Sequence, residues 1–124
     1  MRLLLDTHAF VWAASGDRRL SHRVMSALGD PHNQVYVSCI VGWEIAYKES
    51  KGYRLITEPF GELVERSAYT GLGLSFASGR TAFELPFHHR DPWDRMLIAQ
   101  AQEEDLTLVT CDGIMQRYRV STFW

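Results

Sequence analysis

Arg2-Leu3-Leu4-Leu5-Asp6-Thr7 is the stretch that decides the fold. A short, continuous apolar run bounded by charge reads as a strand buried on both faces, which belongs in a parallel sheet and not in a two-sided antiparallel one. The run stops at an acid, and Thr7 to Ala14 then takes up helical spacing through Phe10, Val11 and Trp12. Leu106 to Thr110 repeats the design near the other end and is closed by Asp112.

Working outward, Ser21 is placed to cap a helix to about Leu28, which Gly29-Asp30-Pro31 breaks. Val35 to Ser38 is rich in β-formers, and Ser38 then caps a helix from about Cys39 to Ser50. Thr57 and Pro59 open a further helix to about Tyr69, Leu72 to Phe76 reads as a third strand, and Ser78 to Leu85 as a short helix. Pro86 to Pro92 is a loop in which the adjacent pair His88-His89 reads as surface. Asp91 and Pro92 begin a helix to about Asp105, followed by strand four, a helical turn from Gly113 to Tyr118 and an edge strand from Val120 to Phe123. Short apolar strands alternating with helices predict an α/β domain with a mostly parallel sheet flanked on both faces, and the 124 residues suit one domain, 1–124.

Composition narrows the function. Hydrophobic residues make up 46% and charged residues 23%, as in ordinary globular chains, and a net charge of −2 argues against a generic basic coat for nucleic acid. Three apolar residues between Arg2 and Asp6 are too few for a signal-peptide core, and no stretch approaches membrane-span length, so a cytoplasmic protein without a membrane partner is expected. Cys39 and Cys111 have no zinc-ligand spacing and read as reduced, half-buried thiols. Neither GxxxxGK[ST] nor GxGxxG occurs, which removes those nucleotide-binding loops.

Four acids carry the chemistry. Asp6 lies at the carboxyl end of strand one, where open α/β sheets place ligand-binding residues, although it could equally start the next helix with Thr7 as helper. Glu44 shares a helical face with Ile40 and Val41, or else simply pairs with Lys48. Asp94 extends the apolar stripe of Leu97, Ile98 and Ala101 toward the end of the sheet, or acts as a capping-box partner of Asp91, which itself reads as a cap. Asp112 leaves strand four, or forms a turn with Gly113. If strands one and four are neighbours, Asp6 and Asp112 emerge side by side. Two carboxylates about 4 Å apart repel by roughly 4 kcal/mol at an effective dielectric near 20, so a converged cluster holds protons or a cation.

The sequence resembles PIN-domain ribonucleases, and in particular VapC-type toxins of toxin–antitoxin pairs. The blocks that carry the likeness are Leu4-Leu5-Asp6-Thr7-His8-Ala9, Ser38 with Trp43-Glu44-Ile45-Ala46-Tyr47-Lys48, Leu85 to Ala101 and Leu108-Val109-Thr110-Cys111-Asp112. The third block, Leu-Pro-Phe-His-His-Arg-Asp-Pro-Trp-Asp-Arg-Met-Leu-Ile-Ala-Gln-Ala, is the most specific; Trp93 stands where Phe is usual. The resemblance implies a three-layer sandwich with a parallel sheet in the order 3-2-1-4-5. It further implies a metal-dependent RNA endonuclease whose acidic positions fall on Asp6, Glu44, Asp94 and Asp112, with Thr110 as hydroxyl neighbour. Oxygen-only donors favour Mg2+ or Mn2+ over zinc; Asp6, Asp94 and Asp112 are expected to hold the ion directly or through water, and Glu44 to join the metal site and orient or deprotonate the attacking water. Products would carry 5′-phosphate and 3′-hydroxyl ends. A homodimer and a small VapB-like antitoxin are implied as well, with Trp12, Tyr53 and Trp124 able to serve an interface or the core.

In the implied strand order the two cysteines flank strand one at about 9–10 Å, too far for a disulfide. Arg18, Arg19, Arg23, Lys48, Lys51, Arg54, Arg90 and Arg95 are the candidate RNA phosphate contacts, each equally at home as solvated surface. Two other classes compete: a non-catalytic interaction module whose acids only cap and turn, and a metal-dependent phosphatase with Asp6 as nucleophile. The phosphatase needs a second acid two residues on, where this chain has His8.

Overall fold

A computed structural model describes Met1–Trp124. The chain forms β1 (Arg2–Leu5), α1 (Thr7–Ser15), α2 (His22–Gly29), β2 (Gln34–Ser38), α3 (Cys39–Ser50), α4 (Phe60–Arg66), β3 (Thr70–Leu72), α5 (Phe76–Glu84), α6 (Pro92–Glu103), β4 (Thr107–Val109) and β5 (Thr122–Phe123), with a 3-10 turn at Met115–Arg117. The strands make one parallel sheet in the order β3-β2-β1-β4-β5. Leu3, Leu4 and Leu5 are completely buried although their side chains alternate between the two faces, so helices cover both sides and the architecture is the three-layer α/β sandwich expected.

Local chemistry explains most element ends. The hydroxyls of Ser21 and Ser38 cap α2 and α3, and Asp91 caps α6 by accepting the amides of Trp93 and Asp94. The helix read as running to Tyr69 instead ends at Arg66, where Ala68 turns into the left-handed region at φ +56°. Tyr69 N–H then donates to Val64 O and Ala68 N–H to Glu65 O, the paired bonds of a Schellman ending. Asp105, at φ +51°, likewise turns the chain out of α6, and Leu106 N–H donates to Ala101 O.

The third strand is corrected: it lies at Thr70–Leu72 and not at Leu72 to Phe76. Ser75 caps α5 by accepting Ser78 N–H at 3.0 Å, which draws Phe76 into the helix. An edge strand needs little apolar content, so the leucines were a poor guide to its position. The cysteines are free, as expected, but exposed and not half-buried.

No helix is long and apolar enough to cross a membrane.

Candidate metal centre

The sheet register brings the acids to one end. β1 pairs with β4 from Leu3–Thr107 to Leu5–Val109, and Asp6 N–H extends the ladder to Val109 O at 3.2 Å. Asp6 is buried at the carboxyl end of β1 and also caps α1, its Oδ1 accepting Ala9 N–H at 2.7 Å. The two readings of this residue are therefore compatible. Across the ladder Thr110 is fully buried and its Oγ1 accepts Asp112 N–H at 3.0 Å, which fixes the turn out of β4. Thr7 buries its hydroxyl with no hydrogen-bond partner.

Two helices complete the cluster. Glu44 on α3 is 3% exposed, and its one ionic partner is Lys48 at 3.4 Å. Asp94 projects from the first turn of α6 and belongs to two groups. One carboxylate oxygen from each of Glu44, Asp91 and Asp94 lies within 4.8 Å of the others, and the same holds for Asp94, Asp112 and a ring nitrogen of His89.

The electrostatics report the crowding. Burial, followed by the negative charges of Asp91, Glu44, Asp6 and Asp112, pushes the Asp94 carboxyl up to about 8. Asp6 is likewise raised, mainly by burial, against the pull of hydrogen bonds from Thr110 and the Ala9 amide. Crowded carboxylates in this number, two of them buried and three half-buried, with one lysine at the edge, are oxygen donors short of a cation. Hard oxygen ligands suit Mg2+ or Mn2+ better than zinc, so the residues fit the expected group.

The family model for the PIN domain matches residues 3–120. The chain belongs to the PIN-domain family. Members of this family are generally nucleases and typically depend on divalent metal. Among solved structures, this PIN domain is similar to VapBC2 from Rickettsia felis bound to a promoter DNA fragment, with TM-score 0.69, 19% identity, and 99% of this chain and 98% of that one covered. It is similar to a toxin–antitoxin complex from Klebsiella pneumoniae, with TM-score 0.68, 17% identity and coverage of 98% and 96%. FitAcB from Neisseria gonorrhoeae gives TM-score 0.63 and 20% identity over 98% and 96%. No curated protein matches this chain in sequence.

His89 was missed by sequence reasoning. It is not loop surface: its side chain is 11% exposed, and Nε2 lies 2.9 Å from Asp112 Oδ2 and 3.1 Å from Asp94 Oδ2. Its neighbour His88 packs edge-on against Tyr118.

Arg95, counted among the phosphate contacts, is also corrected. It is buried and donates to the carbonyls of Ala82 at 2.7 Å, Leu85 at 3.0 Å and Pro86 at 2.9 Å, closing the α5–α6 loop from within. Lys48 is engaged with Glu44, and Arg19 with Asp17 at 2.7 Å, while Arg18, Lys51, Arg54 and Arg90 are exposed.

Trp12 and Trp124 are half-buried against each other at 5.8 Å, whereas Tyr53 is exposed. Trp93 packs against Tyr47 at 5.1 Å as an aromatic there should, but its indole N–H is buried without a partner.

Proposed function

We propose that residues 1–124 act as one PIN domain with metal-dependent endoribonuclease activity, as the VapC-type toxin of a toxin–antitoxin pair. The observation that carries the proposal is Asp94, whose carboxyl sits among those of Asp91, Glu44, Asp6 and Asp112 and is pushed up to about 8 by burial first and then by their charges. A structural cluster would avoid such repulsion; a cation site uses it.

In this reading Asp6, Asp94 and Asp112 hold Mg2+ or Mn2+. The bound ion supplies charge neutralisation at phosphate and lowers the pKa of coordinated water. Glu44 holds and orients the attacking water. Its burial and the Lys48 pair keep its carboxylate in one place, a requirement for a positioned base. Thr110 keeps the Asp112 turn in register, and Thr7, next to Asp6, brings an unpaired hydroxyl to the same end of the sheet. Exposed Arg18, Lys51 and Arg90 are the cations free to meet RNA phosphates, whereas Arg54 is held by Glu49 at 3.8 Å.

An antitoxin partner is supported by the similarity to VapBC2 and to the Klebsiella complex. A homodimer and a cytoplasmic location complete the proposal.

The test is incubation of total RNA with purified protein in Mg2+ or Mn2+, in EDTA, and with Asp6→Asn. Discrete fragments confined to the metal lanes of the unmutated protein support the reading. Absence of cleavage together with no metal-induced rise in Tm favours a non-catalytic interaction module, because a scaffold without a cation site gains nothing from the ion.

A further inference from the structure

We propose that His89 positions Asp94 and Asp112 for the cation as a neutral hydrogen-bond donor and is not itself a ligand; the inference rests on the metal-site reading above. The decisive contact is on the far side of the ring, where Asp91 N–H donates to His89 Nδ1 at 3.1 Å. A nitrogen that accepts an amide proton carries none of its own, so the ring proton resides on Nε2. Nε2–H is then shared between Asp112 Oδ2 at 2.9 Å and Asp94 Oδ2 at 3.1 Å. Ligation through Nε2 would require the proton to move to Nδ1, where it would face the Asp91 N–H.

The donor ties together acids from different parts of the chain. Asp94 starts α6 and Asp112 follows β4, and His89 holds one oxygen of each. The other oxygen of Asp112 accepts Ile114 N–H at 2.8 Å, so that carboxylate is gripped at both ends while each oxygen keeps a lone pair for an ion. Outer partners that fix a ligand's orientation in this way commonly matter about 10- to 100-fold for metal affinity.

The ring is itself braced. His89 N–H donates to Tyr118 Oη at 2.7 Å, and that hydroxyl donates to Pro86 O at 2.8 Å. Arg95 reaches Pro86 O as well, so the loop carrying His89 is fastened to α6 and to the segment before β5. The arrangement leaves an all-oxygen ligand set.

The experiment compares Mn2+ binding, measured directly by calorimetry on the full chain, for the unmutated protein and for His89→Ala, His89→Asn and His89→Gln. The Gln amide nitrogen reaches the place of Nε2 and donates there; that of Asn reaches only the place of Nδ1. Mn2+ affinity is expected to fall about 10-fold or more in the Ala and Asn variants and to return largely with Gln, with unchanged far-UV circular dichroism. Unchanged affinity in His89→Ala overturns the proposal, as does tighter binding, which would make His89 a competitor of the ion. Equal loss in Gln and Ala overturns it in favour of nitrogen ligation or a purely steric role. If His89→Ala fails to fold, the Asn–Gln comparison decides alone. RNA cleavage is followed in parallel. A Mn2+ order as expected with no cleavage by any form would sink the ribonuclease reading and leave this one standing, whereas no Mn2+ binding by the unmutated chain overturns both.

Discussion

Asp94 donates its backbone amide to the carboxylate of Asp91, three residues earlier on the first turn of α6, at 3.2 Å. The pair shares the work of the helix start: Asp91 satisfies its amides while standing beside Asp94 and Glu44. Asp91 accepts the amides of Trp93 and Asp94 and so caps the helix, which frees the Asp94 side chain to enter the cluster. Asp91→Ala is expected to cost about 1 kcal/mol of stability, the usual loss for an N-cap. Asp94→Asn should cost nothing, or raise stability near neutral pH in the absence of metal, because an amide is neutral without the proton uptake that folding imposes on the Asp94 carboxyl. Urea titrations of both variants in EDTA check this; a larger loss in Asp94→Asn would contradict it.

The same crowding sets a pH dependence. The folded Asp94 carboxyl keeps its proton up to about 8, against 3.8 for an unperturbed group. Between those values the native state binds more protons than the unfolded one, so metal-free stability falls as pH rises across that window. Tm in EDTA should therefore be higher near about pH 6 than near about pH 8.5, and the Mg2+-induced rise in Tm should be larger at the higher pH, where fewer protons compete with the ion. An EDTA profile rising with pH over this range would refute the assignment.

Arg95 holds its loop through carbonyl contacts and lies under the Phe87 ring, its guanidinium carbon 4.4 Å from the centroid. A lysine ammonium cannot reproduce that fork. Arg95→Lys should destabilise by about 2–3 kcal/mol, the loss of one or two charge-assisted bonds to buried carbonyls. Protease nicking between residues 85 and 91 should rise with it. Unaltered Tm would show the loop to be held by Tyr118 alone.

Ala68 adopts φ +56° on an exposed turn, where its Cβ is unfavourable and glycine is not. Ala68→Gly is expected to stabilise by about 0.5–1 kcal/mol, tempered by the greater freedom that glycine gives the unfolded chain. A lowered Tm would indicate that the helix ends differently.

Both thiols are exposed and unpaired, so both should react with a thiol reagent in native protein. Cys111 should react more slowly than Cys39: partial burial, together with the charges of Asp6 and Asp112, raises its pKa and lowers its thiolate fraction. A two-hydrogen mass difference between native and reduced protein would instead reveal a disulfide.

The strongest local signals were read correctly. Leu3 to Leu5 and Leu106 to Val109 announce buried strands because an unbroken apolar run is unaffordable at a surface, and Ser38 and Asp91 mark helix starts through bonds spanning two or three residues. The third strand was misplaced because an edge strand of Thr70, Gly71 and Leu72 carries no period-two signal, while its leucine-rich neighbour does. His89 and Arg95 were misread because their roles lie in contacts with residues as far off as Tyr118 and Ala82, which neither a loop without periodicity nor the spacing of α6 announces.

By itself the sequence determined the alternation of strands and helices, and with it the parallel sheet, since both follow from the spacing of apolar residues and from caps. It also supplied the acids, in the order of the family motif. Only the tertiary structure decided that Asp94 stands between Glu44 and Asp112, that His89 donates into the cluster, and that Arg95 serves the loop and not the surface. Those relations depend on strand register and loop closure, which bring together residues from separate elements, beyond the reach of any helical or strand period.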